Sequence, residues 1–137
     1  MRAVMDTNVL VAALRSRQGA SFEIFRRLRF GEWTAVLSNH LLYEYEEILK
    51  RQAPEIRLTL EDVDVLLNAI CARGEECLLS HGWEPILSDP DDEPLVQLAI
   101  ESDALCIVSH NVRHLKPAAR LGVEVLRPRE FLDKLRL

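Results

Sequence analysis

Short apolar runs alternate with amphipathic stretches along the chain, and together they predict its elements. Residues 3–5 are apolar and meet the polar cluster Asp6-Thr7-Asn8, the pattern of a buried strand ending in a loop. Residues 9–14 open a helix or a turn-rich arm, and residues 15–19 form a polar, basic break. Residues 21–30 have helical spacing, and Gly31 stops them. Residues 33–37 make a second strand. Ser38 or Asn39 caps a helix that runs to about Arg51, with Pro54 closing the segment. Thr59 and Asp62 have capping-box spacing, with aspartate in place of the usual glutamate, ahead of a helix over residues 60–72 that Gly74 ends. Residues 76–79 are a short strand or an extended link. The polar stretch 88–94 leads into a helix through Ile100, residues 104–108 and 123–126 are two further strands, and Pro128 starts a last helix.

The order is strand, helices, strand, helices, strand, strand, helix. Short, continuous apolar strands favour a parallel sheet buried on both faces, so the expected fold is an α/β three-layer α/β/α sandwich with a central, mostly parallel sheet. With 137 residues and no repeat, linker or low-complexity tail, the chain is expected to be a single domain over 1–137.

Two carboxylates fall where the helical periodicity expects hydrophobes. Glu44 shares a face with Leu41 and Ile48, and Asp92 shares one with Leu95, Val96 and Ala99. A charge on such a face is costly unless it is paired or bound to metal. Asp6 follows the first strand directly, and the carboxyl ends of parallel strands form the usual site crevice. Asn111 follows the strand over 104–108, within reach of the same crevice. Carboxylate and amide oxygens are what Mg²⁺ or Mn²⁺ accepts, and such an ion supports hydrolysis of phosphodiesters. Taken singly, each of these residues has a plainer role: Asp6 as a turn residue, Glu44 as an arginine partner, Asp92 as a helix cap, and the amide Asn111 as a turn former.

Composition narrows the choice. The net charge is −5, from 17 basic and 22 acidic side chains, so bulk attraction does not draw nucleic acid to the chain; a local basic rim is required. Arg15 and Arg17 after the first acid, and Arg113, His114 and Lys116 after Asn111, are candidates for that rim. The three cysteines lack metal-site spacing and read as reduced core or boundary residues. No segment is long and apolar enough for a membrane span, and no secretion signal is visible, so a soluble cytoplasmic protein is expected. No dinucleotide fingerprint or phosphate-cradling glycine loop is present, so a nucleotide cofactor is not expected.

The segments that carry these acids resemble the motifs of the PIN-domain family. VMDTNVLVAAL at 4–14 resembles its opening motif, SNHLLYEYEEIL at 38–49 its second, and SDPDDEPLVQLAIESDALCIVSHN at 88–111 its third and fourth. The likeness spans nearly the whole chain and is greatest to prokaryotic members that act as toxin components of toxin–antitoxin pairs. It implies Mg²⁺- or Mn²⁺-dependent hydrolysis of RNA, a homodimer, and a small antitoxin partner that blocks the site. It assigns Asp6, Glu44 and Asp92 as catalytic metal ligands. Thr7, Asn8 and Ser109 become residues that orient the first acid, substrate or water. Where many members carry a fourth acid, this chain reads Ser109-His110-Asn111. The amide lowers the negative charge of the site and implies weaker metal binding. It also motivates a second reading, an interaction protein with a degenerate nuclease site. A small-substrate phosphohydrolase is a third.

Overall fold

The computed structural model describes residues 1–136. Each apolar run in the sequence becomes a short strand: β1 (Arg2–Met5), β2 (Thr34–Leu37), β4 (Cys106–Val108) and β5 (Glu124–Leu126). A two-residue strand, β3 (Glu75–Glu76), adds an edge. All pairings are parallel and the order is β3-β2-β1-β4-β5, so β1 lies at the centre. Chain order reverses direction at β1, between β2 on one side and β4 on the other. That is the point in an open α/β sheet where a crevice forms outside the strand ends.

Helices cover the sheet as the α/β/α sandwich requires. Residues 9–14 belong to a true helix, α1 (Thr7–Arg15), which starts straight after Asp6. It packs on α2 (Ala20–Arg29). Ser38 accepts the Leu41 amide at 3.1 Å and so starts α3 (Asn39–Gln52). The Thr59–Asp62 capping box forms in both directions, at 2.8 and 3.0 Å, and starts α4 (Leu60–Arg73). Gly74 ends it by turning to an extended conformation, and the missing side chain lets Leu37 pack close: a Cβ there would stand 2.3 Å from the Leu37 side chain. A 3-10 turn over Pro90–Asp92 leads into α5 (Glu93–Glu101), which lies against β1, β2 and β4. The last helix, α7 (Pro128–Leu135), packs on α2, and its Phe131 meets Trp33 edge-on at 5.1 Å between ring centres.

Two elements depart from the sequence expectation. The edge strand covers residues 75–76 rather than 76–79, because its pairing with β2 runs out there, the last bond being Cys77 N–H to the Leu37 carbonyl at 2.7 Å. A short helix, α6 (Val112–Leu115), followed by a 3-10 segment over Lys116–Leu121, fills the connection between β4 and β5. The core beneath includes Ala3, Val4, Met5, Val36, Val96, Leu98 and Ile107, all fully or almost fully buried. No helix of the described residues is long and apolar enough to cross a membrane.

Candidate active site

The carboxyl end of the sheet gathers the predicted acids. Asp6 leaves the end of β1, Glu44 comes from α3, and Asp92 stands at the start of α5. All three line one cleft of about 490 Å³, together with Thr7, Asn8, Arg15 and Asn111. A narrower recess beside it is also lined by Asp6, Glu44 and Asp92, and adds Ser38, His40 and Asp91.

Hydrogen bonds fix the positions of the acids. Ser109 at the end of β4 donates to Asp6 Oδ2 at 2.7 Å, and Asn8 Nδ2 reaches the same oxygen at 3.3 Å. The Asn111 amide N–H donates to Ser109 Oγ at 2.9 Å, so the turn after β4 closes on its own hydroxyl. His110 N–H donates to Asn8 Oδ1 at 3.2 Å. Thr7 does not orient the first acid through its side chain; its hydroxyl donates to Glu44 Oε2. Tyr45, fully buried next to Glu44, donates its hydroxyl to the Met5 carbonyl. The phenol thus ties α3 to the last residue of β1, which sets Glu44 beside Asp6.

The electrostatics match this crowding. Burial pushes the Asp6 carboxyl up to about 6, and the nearby Glu44 and Asp92 charges push the same way, while the Ser109 hydroxyl and the Thr7 amide pull it down. Asp92 is also raised, first by burial, then by Asp89; His114 acts in the opposite sense. Tyr45 is held well above the ordinary phenol range by burial and by its acidic neighbours.

Asp92 is half-buried and sits at the N-terminal boundary of α5, where its side chain makes no capping bond. The buried acid on that helix is the next residue, Glu93, which helical periodicity alone does not single out. Its carboxylate accepts from Trp83 Nε1 at 2.8 Å, from Ile86 N at 2.7 Å and from the Leu87 amide. Glu93 is thus held by three N–H donors of the 83–87 segment. Asp89 has a local role too, accepting the Asp91 amide at 3.0 Å. Asp103 lies at the opposite end of the sheet, its carbonyl 3.4 Å from Arg2.

The basic rim is only partly as expected. Arg15 lines the cleft, but its guanidinium is engaged by Gln52 at 2.6 Å and Glu55 at 3.1 Å. Arg17 is exposed in the α1–α2 connection, and Arg113 and Lys116 are exposed just after Asn111. His110 turns from the acids to Ser21 Oγ, 3.0 Å from its Nε2.

The donors in the cleft are oxygens throughout, which is the chemistry of a hard divalent ion. Among the described residues, no group of three or more His, Cys, Asp or Glu side chains is placed to hold a metal ion. The acids face an open cleft instead.

Against known proteins, a PIN-domain family model matches residues 2–113. Among solved structures, the chain is similar to VapBC2 from Rickettsia felis bound to a DNA fragment from their promoter. Identity there is 16%, the match covers 93% of this chain and 98% of the other, and the TM-score is 0.62. It is also similar to a PilT N-terminus domain protein from the hyperthermophilic archaeon Sulfolobus solfataricus. In that case identity is 17%, coverage is 98% of this chain and 93% of the other, and the TM-score is 0.52. At these identities the likeness is one of fold. No curated protein matches the chain.

Proposed function

The chain belongs to the PIN-domain family, and on that premise we propose that it is a Mg²⁺- or Mn²⁺-dependent endoribonuclease, the toxin of a toxin–antitoxin pair. The observation that supports this most is the convergence of Asp6, Glu44 and Asp92, from three separate elements, on one cleft at the sheet's switch point. An Asp6 carboxyl raised by burial and by its acidic neighbours is the signature of charges that a cation would relieve.

Asp6 and Asp92 would hold the ion, with Glu44 holding water or a second ion. An open set of this kind suits Mg²⁺, which keeps several waters and takes phosphate oxygens from substrate rather than filling an all-protein cage. A bound divalent ion supplies charge neutralisation for the acids and for the phosphodiester as it reacts. The protein's own residues do the rest. Ser109 and Asn8 hold Asp6 Oδ2, and the Thr7 backbone amide also bonds the carboxyl, so the acid is fixed where it lines the cleft. Thr7 does the same for Glu44. Asn111 offers its amide to a water or to the substrate, in place of a fourth acid. Attack by water, with the 3′-oxygen leaving, gives a 5′-phosphate product.

RNA is the substrate class proposed, with Arg17, Arg113 and Lys116 as phosphate contacts; such contacts position a strand without choosing its sequence. A homodimer and a small antitoxin partner are proposed with it, on the likeness to VapBC2.

The deciding experiment incubates purified protein with labelled single-stranded and hairpin RNAs in Mn²⁺, Mg²⁺ or chelator, beside Asp6→Asn. Metal-dependent cleavage, lost in a folded Asp6→Asn variant, is the expected result. Cleavage retained by that variant sinks the assignment of Asp6. No cleavage by the folded, metal-loaded wild type moves the reading to an interaction protein with a degenerate site, which the amide at Asn111 favours.

A further inference from the structure

A second cavity, of about 370 Å³, adjoins the acidic cleft, and Ala12 of α1 lines both. Its size falls in the range of roughly 300–1,000 Å³ usual for small-ligand sites. Its walls are the first turns of two helices and the residue after Ser109: Gly19 and Ser21 from the start of α2, Arg127 and Arg129 from the start of α7, and His110.

This wall is tied to the acids by hydrogen bonds. Ser21, buried, holds His110 Nε2 at 3.0 Å; His110 N–H donates to Asn8 at 3.2 Å; Asn8 donates to Asp6 at 3.3 Å. A ligand seated in the cavity would therefore be held in fixed register with the acidic centre.

The charge of the cavity is opposite to that of the cleft. Arg127 and Arg129 are both exposed. Arg129 makes no ion pair among the described residues, and the Arg127 guanidinium meets Glu130 only loosely, at 3.8 Å. Gly19 supplies no side-chain cap to α2, so the positive end of that helix adds to the same field. Arg15, the cation expected to serve the substrate here, is instead committed to Glu55 and Gln52. Between the charged groups, Ala12, Ala20 and Pro128 give an apolar floor.

We propose that this cavity is an RNA subsite that holds a nucleotide flanking the scissile bond. Its phosphate lies on Arg127 and Arg129, and its sugar and base lie against Ala12 and Pro128. The inference rests on the nuclease reading above and adds to it the path of the strand, across α1 and onto the start of α7.

The test uses the full chain carrying Asp6→Asn, so that bound RNA is not cut, and a fluorescent single-stranded RNA titrated in Mg²⁺ at several salt concentrations. Adding Arg127→Ala and Arg129→Ala is expected to weaken binding about tenfold. The slope of log affinity against log salt should become shallower by about 1.4, which is two single-strand phosphate contacts at roughly 0.7 each. Lysine at both positions should restore most of the slope, which a purely structural role would not predict. Unchanged affinity and slope in the alanine pair, while wild type still cuts RNA, overturns the subsite alone and leaves the cavity for a protein partner. If the Asp6→Asn chain binds no RNA and wild type cuts none, the nuclease reading falls and this inference falls with it.

Discussion

Ser109 donates a 2.7 Å hydrogen bond to Asp6, joining the end of β4 to the end of β1 across the switch point of the sheet. Its effect on the acid is electrostatic as well as geometric. The bond favours the ionised carboxylate, against burial and the charges of Glu44 and Asp92. Ser109→Ala removes it, so the Asp6 carboxyl should rise further above its present value of about 6. A hydrogen bond to a charged group is worth about 1.5–3 kcal/mol, which moves a titration by about one to two pH units. The acid limb of a pH–rate profile for metal-dependent RNA cleavage should shift upward by that order, and the metal concentration needed at pH 7 should rise. An unmoved profile would detach Ser109 from the reaction.

Asp6 should also mark the stability curve of the metal-free protein. Its folded-state pKa of about 6 lies above the ordinary value of 3.8, so folding favours the protonated form. The stability this provides is complete below the unfolded pKa and is lost as pH rises through about 6. The loss is roughly 2–3 kcal/mol by neutral pH. Asp6→Asn, neutral at all these pH values, escapes it. In chelator, the variant should be more stable than wild type at pH 8, and the difference should shrink toward pH 4. Denaturant titrations across that range would test the sign. Saturating Mg²⁺ should reverse the order at pH 8, because only the carboxylate binds the ion well.

How much of this the sequence disclosed depends on the range of the interactions. Local patterns were enough for β1, β2, β4, β5 and the long helices, since periodicity and caps such as Ser38 and Thr59–Asp62 act within a few residues. Position at a strand end and helical spacing were enough to nominate Asp6 and Glu44. The pattern could not separate Asp92 from Glu93. Both are acids at the start of one helix, and which of them is buried depends on a loop folding back to bring Trp83 to Glu93. Nor could it see that Arg15 is taken by Glu55, 40 residues away, or that the Thr7 hydroxyl goes to Glu44 while only its backbone amide serves Asp6. The helix α6 was missed because four residues are too few to display a period.

Tyr45 tests whether the register of α3 matters as much as its acid. Tyr45→Phe leaves the buried Met5 carbonyl without its side-chain donor, at a cost of about 1–3 kcal/mol. It also frees the end of β1 to shift against Glu44. Stability should fall by that amount, and RNA cleavage should fall more than the stability loss explains, with the metal requirement raised. Cleavage unchanged in folded Tyr45→Phe would show that Thr7 alone suffices to place Glu44.

Glu93 should behave as the opposite of Asp6. Burial opposes its charge, but the donors Trp83, Leu87 and Ile86 outweigh that cost and hold its carboxyl below the ordinary range. For a depressed carboxyl, the stability is present above the unfolded pKa and lost as pH falls through the folded one, so Glu93 supports the fold at neutral pH and fails in acid. Glu93→Gln keeps the size of the side chain but replaces one acceptor oxygen by an NH₂ group. Either Trp83 Nε1–H or the Ile86 and Leu87 amides must then face another donor. The expected cost is about 2 kcal/mol at pH 7, shrinking as pH drops below 4, read by melting in buffers of matched ionic strength. Because Asp92 is the preceding residue and reaches the cleft from the same turn, release of the 83–87 loop should also weaken Mn²⁺ binding at neutral pH. Binding measured by calorimetry should be several-fold weaker in Glu93→Gln. If stability falls but Mn²⁺ affinity holds, the loop serves the fold only, and Asp92 is positioned by α5 without it.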